Sequence, residues 1–256
     1  MEKRIHVKKL GERIYLMNDA GEATGYLVVG EEKALVIDTM IGWEDVNEVV
    51  KGITTLPIMV VNTHGHCDHI YGNVYFEEAY LHPDDFELAQ EHSNFPEFAD
   101  LCNKYGMKMP PFKPILDGEV IDLGGATLDV IHLPGHTKGG ICLLYREERV
   151  LFTGDGINCH IWMQLEESLT ISELADNLEK LMYVKEKADK ILHGHAQDYE
   201  DISLLTELYL GAKELIECPE CIEQDEDYTW FGGVDKRHIY GPKKNAICYK
   251  VGKIKR

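Results

Sequence analysis

A chain of 256 residues, 44% hydrophobic and 28% charged, is long enough to bury a sizeable core without outside help. Its 26 Lys+Arg against 45 Asp+Glu give a net charge of −19, a surface that repels phosphate backbones and argues against a nucleic-acid partner. No apolar run approaches the roughly 20 residues that span a bilayer, and MEKRIHVKKL at the start lacks the apolar stretch of a secretory signal, so a cytoplasmic protein without membrane contact is expected.

Seven cysteines, Cys67, Cys102, Cys142, Cys159, Cys218, Cys221 and Cys248, are odd in number and scattered. That is not a disulfide framework, and it fits a reducing compartment.

Along the chain, Ile5 and Val7, then Ile14 to Leu16, flank Gly11 as strands flank a hairpin turn. Gly25–Gly30 and Ala34–Asp38 are short β-rich runs, and Trp43, Val46, Val49 and Val50 have helical spacing. Ile58–Val61 predicts a buried strand that empties into Asn62-Thr-His-Gly-His-Cys-Asp-His69. A short strand at Ala79–His82 precedes a helix start at Pro83-Asp84-Asp85. Residues 105–118 hold three prolines and two glycines and read as irregular. Strands are expected at Val120–Leu123, Thr127–His132, Ile141–Tyr145, Val150–Thr153 and Lys190–Leu192. Ser168 or Thr170 would cap a helix running to about Lys187, and Asp201–Glu217 is a second helix. The last 35 residues carry weaker β signals. Two β-rich halves, each with helices, predict two packed sheets with helices outside, in a single domain over residues 1–256. Residues 84–118, with Met107, Met109 and Phe112, are a candidate active-site lid offering an apolar wall, the alternative being that these three side chains only pack the loop onto the sheet.

The chemistry concentrates in seven residues. In an extended segment, residues two apart point the same way, so His64 and His66 can grip one ion, with Gly65 letting the backbone bend between them. Asp68 and His69 lie one turn farther on and can serve a second ion. His136 (in His-Leu-Pro-Gly-His), Asp155 (in Phe-Thr-Gly-Asp) and His195 (in Leu-His-Gly-His) also leave apolar strands through glycine-containing turns. Ordinary core histidines have no reason to recur in that setting. His193 competes weakly with His195. Cys67 reads as packing, and the lone Cys218-Pro-Glu-Cys221 pair lacks the four ligands of a structural zinc site. His160 and Trp162 follow Asp155 closely and are candidates for binding substrate, with Tyr199 and Trp230 behind them. His6, His82, His92, His132 and His238 read as ordinary histidines.

The motif HGHCDH over 64–69, followed in order by PGH, TGD and GH ending at His136, Asp155 and His195, resembles the metallo-β-lactamase-fold superfamily, in its glyoxalase-II/lactonase-like branch. The resemblance implies an α/β fold: an αββα sandwich of two packed mixed sheets with outer helices and the metals at one edge. It implies that His64, His66 and His136 bind one metal, that Asp68, His69 and His195 bind another, and that Asp155 bridges them, with Asp38 supporting the site from behind. Diiron relatives carry Glu where His66 stands, so two zinc ions are expected here, iron and manganese also suiting such ligands. The implied activity is hydrolysis of a small ester, lactone or thioester by metal-bound hydroxide, with Asp68 as the catalytic group. The alternatives are an iron-dependent oxidoreductase of the sulfur dioxygenase or diiron type, and a catalytically silent metal-binding relative. Many secreted β-lactamases of this fold have Cys or Ser at the position of Asp155, and lactonases have a Tyr where Asn158 lies. The acidic C-terminal region also departs from the basic one with which glyoxalase-II-like enzymes hold glutathione. The expected partner is therefore a small molecule of unspecified identity. Nothing in the sequence speaks to oligomeric state.

Overall fold

A computed structural model describes residues 3–255. The first half of the chain forms a seven-stranded mixed sheet from β1 (Ile5–Lys9), β2 (Ile14–Asp19), β3 (Ala23–Val29), β4 (Ala34–Ile37), β5 (Ile58–Val61), β6 (Ala79–Leu81) and β7 (Phe112–Pro114), in that spatial order. The first four strands are antiparallel neighbours, and β4 to β7 run parallel. Parallel pairing needs crossovers. The short α1 (Val46–Lys51), capped by the Asp45 side chain, provides the one between β4 and β5. Next come α2 (Cys67–Ile70), α3 (Phe86–Ser93) and α4 (Pro96–Tyr105).

The second sheet uses β8 (Val120–Asp122), β9 (Thr127–His132), β10 (Ile141–Tyr145) and β11 (Val150–Gly154). The chain then leaves it for β12 (His160–Met163) and α5 (Ile171–Leu181), and returns with β13 (Lys190–His193) and β14 (Glu200–Asp201). Thr170 caps α5 in a reciprocal capping box with Glu173. After α6 (Ser203–Glu217) and α7 (Pro219–Gln224), β15 (Glu226–Trp230), β16 (Gly233–Tyr240) and β17 (Asn245–Tyr249) complete a third sheet in the order β12-β17-β16-β15.

Burial follows the pleat. In β4, Leu35 and Ile37 face the second sheet while Ala34 and Val36 face the layer containing Val46 and Val50 of α1. In β10, Ile141, Leu143 and Tyr145 fill the space between the sheets, while Cys142 and Leu144 lie in the cluster containing α5 and α6. Both sheets are thus covered on both faces, which is why their strands read as continuous apolar runs. The αββα expectation holds for this body. Beside the two packed sheets, β12 and the C-terminal strands form a third sheet of their own. Among the described residues, no helix is long and apolar enough to cross a membrane. A disulfide, Cys218–Cys221, ties the junction between α6 and α7 to the first turn of α7, where the cysteine pattern predicted none.

The parallel pairs set the site. With β4 beside β5, Asp38 and Thr63 leave adjacent strand ends. With β11 beside β13, the Gly154 and Gly194 turns are hydrogen-bonded at 2.9 Å, so Asp155 and His195 emerge together. Gly194 must be glycine: a Cβ there would collide with the Asp155 carboxylate and the His69 ring.

Candidate metal centre

All seven residues singled out at strand exits converge on one edge of the sandwich. His64, His66 and His136 place ring nitrogens within 4.8 Å of one another, and Asp68, His69 and His195 do the same with a carboxylate oxygen and two nitrogens. Asp155 Oδ2 lies between the groups, 3.1 Å from His195 Nε2, 3.8 Å from His69 Nε2 and 3.9 Å from His136 Nε2. Asp68 Oδ2 sits 3.5 Å from His69 Nε2 and 3.6 Å from His195 Nε2.

The surrounding hydrogen bonds fix which nitrogen of each ring faces inward. His136 Nδ1 donates to the Trp162 carbonyl at 2.7 Å, and His195 Nδ1 to the Glu22 carbonyl at 2.9 Å. His69 Nδ1 donates to Asp38 Oδ2 at 2.9 Å, and His66 Nε2 to Glu167 Oε1 at 2.7 Å. The Thr63 hydroxyl gives its proton to Asp38 at 2.7 Å, so at 3.0 Å it accepts from His64 Nδ1. Each ring in its neutral form therefore spends its one proton outward and turns a lone pair inward; on His195 and His69 the facing carboxylates draw a second proton onto Nε2, which a bound cation would displace. His64 Nε2 and His69 Nε2 are buried without a hydrogen-bond partner, and His66 Nδ1 faces His136 Nε2 at 2.9 Å, lone pair to lone pair. Such a cluster is unfavourable by itself. Cations resolve it, and neutral imidazole with carboxylate suits zinc.

Electrostatics sort the groups. Burial pushes the His64 imidazolium far down and that of His136 to about 4, so both rings are neutral. The charge of Asp155 raises His195 to about 9. Burial works against the Glu167 carboxylate, yet the His66 hydrogen bond carries it down to about 2. Asp68 likewise lies below the usual carboxylate range despite burial, held there by His69 and His195.

Several supporting residues carried no sequence signal. Glu167 sits in a loop with no pattern around it, and the Trp162 and Glu22 contacts are backbone carbonyls that any residue supplies. His92, read as ordinary, stacks on His66 with ring centroids 5.1 Å apart and accepts from the Cys67 amide at 3.0 Å. Asp38 is 1% exposed and takes three hydrogen bonds, from the Thr63 amide, the Thr63 hydroxyl and His69. His193 stays outside both groups, its Nδ1 accepting from the His195 amide at 3.2 Å.

The centre opens into a cleft of about 720 Å³. His160 and Trp162 line it, His160 with Nε2 3.0 Å from Cys248 Sγ, and so do Tyr228, Trp230 and Phe231 from the third sheet. Of residues 84–118, His92 and Phe95 reach the cleft. Met109 and Phe112 instead pack against Ile70, Leu81 and Ala89. Tyr199 packs on the core between the sheets, not in the cleft.

Such a cluster, at the edge of two packed sheets, could hold metal ions, and residues 19–195 match the model of the metallo-beta-lactamase superfamily. The chain belongs to that superfamily. It is 27% identical to the human acyl-coenzyme A thioesterase MBLAC2 over 222 residues, 73% of this chain and 80% of that protein. It is also 26% identical to the atrochrysone carboxyl ACP thioesterase AacuM of Aspergillus aculeatus over 229 residues, 85% of this chain and 67% of that one. The fold is similar to a metallo-beta-lactamase from Erythrobacter litoralis, with a TM-score of 0.63 at 19% identity, covering 84% of this chain and 98% of that one. Family and relatives together place the chain among the hydrolases of this fold.

Proposed function

We propose that this chain is a dinuclear zinc hydrolase that cleaves thioesters. The observation that carries the reading is the set of five imidazoles, each hydrogen-bonded outward and turned inward by its lone pair. His64 Nε2, His66 Nδ1 and His136 Nε2 would hold one ion. Asp68, His69 Nε2 and His195 Nε2 would hold the other, and Asp155 would touch both. Divalent ions there would lower the pKa of a water toward neutrality and polarise a carbonyl oxygen.

The chain's own groups do the rest. Asp68, ionised and at the mouth of the second group, would orient the attacking water by accepting its hydrogen bond. Glu167 and Asp38 hold His66 and His69 in fixed orientation and tautomer, keeping the reacting geometry rigid. The leaving group decides between acyl substrates. Among the described residues lining the cleft there is no lysine or arginine. A thiol, with a pKa of about 8.5, departs as thiolate with little need of an acid, whereas an amine must be protonated. The thioesterase names of the relatives point the same way.

The test is hydrolysis of simple acyl thioesters by the zinc-loaded protein, the released thiol being read with a chromogenic disulfide. Turnover that is abolished by chelation and restored by zinc is expected. Hydrolysis that survives exhaustive chelation, or a zinc-loaded protein inert toward thioesters, would overturn the proposal.

A further inference from the structure

The cleft has a second wall that lies outside the family-matched residues. β15 and β16 are joined by the two-residue turn Phe231-Gly232, which brings Tyr228, Trp230 and Phe231 over the cleft. Trp162 is the pivot of the cluster: its ring centroid is 6.2 Å from that of Tyr228, 5.8 Å from Trp230 and 5.7 Å from Phe231. The same Trp162 gives its carbonyl to His136, so this wall is joined directly to the reaction centre.

The wall is built rather than incidental. The Trp230 indole donates to Asp235 at 2.7 Å, and a Cβ at position 232 would run into the Trp230 ring, so glycine there lets the indole fold across the turn. At the root of the hairpin, Asp225 takes hydrogen bonds from His238 Nδ1 at 3.0 Å and the Tyr249 hydroxyl at 2.8 Å. Phe231 at the tip is 90% exposed, an apolar ring held in water beside a polar centre. A fold gains nothing from that placement, whereas a ligand ring or chain laid against it gains burial.

Charge narrows the ligand further. Asp68, Asp155, Glu166 and Glu167 line the cleft, with no lysine or arginine beside them among the described residues. Four cations beside the hairpin and the Glu166 loop are engaged: Arg237 with Glu226, Lys236 with Asp227, Lys250 with Glu166, and Lys253 with the carbonyls of Leu165, Glu166 and Ser168. Two bound divalent ions would offset Asp68 and Asp155, so the lining charge that a polyphosphorylated carrier would meet is that of Glu166 and Glu167, with no lysine or arginine among the described lining residues to hold it.

We infer that the hairpin tip and Trp162 form the subsite for the apolar acyl portion of the substrate, and that the thiol portion it accepts is uncharged. This rests on the thioesterase reading and specifies its substrate.

The experiment compares the zinc-loaded wild type with Phe231→Ala and Trp230→Ala on acetyl, hexanoyl and decanoyl esters of N-acetylcysteamine and on decanoyl-coenzyme A, over a range of salt. Phe231 is almost wholly exposed, so its removal leaves the fold intact, and melting temperature confirms this. Wild type is expected to gain at least tenfold in kcat/KM from acetyl to decanoyl, through KM. Phe231→Ala should lose most of that gain, its decanoyl-to-acetyl ratio of kcat/KM falling toward one. The coenzyme A ester should be poorer than its neutral counterpart at low salt and should improve as salt rises. Binding is read separately from turnover by fluorescence, because Trp162 and Trp230 are two of the three tryptophans and decanamide should perturb them. Equal loss on all chain lengths, or a coenzyme A rate that falls with salt, overturns the subsite. An altered sedimentation coefficient in Phe231→Ala with unchanged chain-length dependence also overturns it, making the tip a contact between copies. If wild type cleaves no thioester at all, it is the thioesterase reading that fails, and decanamide binding then still decides the apolar subsite.

Discussion

Asp38→Asn isolates the outward hydrogen bonds from everything else. The side chain keeps its size, so no cavity opens, and Asn tolerates the left-handed backbone at this position (φ 58°) about as well as Asp. What changes is the proton inventory. Asp38 Oδ1 accepts from the Thr63 amide at 2.7 Å, while Oδ2 accepts from the Thr63 hydroxyl at 2.7 Å and His69 Nδ1 at 2.9 Å. If Asn keeps its oxygen on the Thr63 amide, its NH2 group faces two former donors. His69 must then carry its proton on Nε2, and the Thr63 hydroxyl turns to donate to His64 Nδ1, which moves that ring's proton inward too. One atom thus removes an inward lone pair from each group. Weakening buried charge-assisted hydrogen bonds should cost about 1–3 kcal/mol in urea unfolding of the metal-free protein. Zinc affinity, read by competition with a chromophoric chelator, should fall about 10–100-fold. A variant that binds zinc as tightly as wild type would refute the argument, since the lone-pair directions would then not depend on Asp38.

Glu167→Gln removes the carboxylate behind His66 and should weaken zinc about tenfold with little change in melting temperature, because the side chain is 26% exposed; unchanged affinity would make the contact incidental. Asp68→Ala should lower kcat on a thioester by about 10²–10⁴-fold with a far smaller effect on unfolding, and a variant with wild-type turnover would remove Asp68 from the mechanism. Thr170→Ala breaks the capping box of α5 and should cost about 1 kcal/mol in denaturant unfolding while kcat/KM stays constant.

The metal-ligand candidates were legible because each stands where an apolar run stops at a glycine, a pattern that survives in one dimension. Strand alternation and the Thr170 cap were legible for the same reason: they are local. The third sheet was not. Its strands β15 and β16 carry Glu226, Asp227, Lys236 and Arg237 on an exposed ladder, so apolar periodicity is diluted, and β12 is short and pairs with β17 across about 85 residues. Glu167 and the carbonyls of Trp162 and Glu22 were silent because what they contribute is position, which only the packed fold defines. The stretch 84–118 was legible in part, since its His92 and Phe95 reach the cleft. Its Met and Phe content suggested a wall over the centre, but Met109 and Phe112 pack on Ile70, Leu81 and Ala89. The aromatic wall comes from Trp162 and the hairpin near the C-terminus, where Trp230 carried the faintest of the sequence signals.

The central claim is that two divalent ions sit side by side on these residues. Anomalous diffraction at the zinc edge from crystals of the zinc-loaded protein tests it most directly. Two peaks are expected within about 4 Å of each other. One should lie about 2.0–2.1 Å from His64 Nε2, His66 Nδ1 and His136 Nε2, and the other at similar distances from His69 Nε2 and His195 Nε2, with Asp68 and Asp155 carboxylates completing the ligands. A single peak, or peaks away from these atoms, would contradict the account.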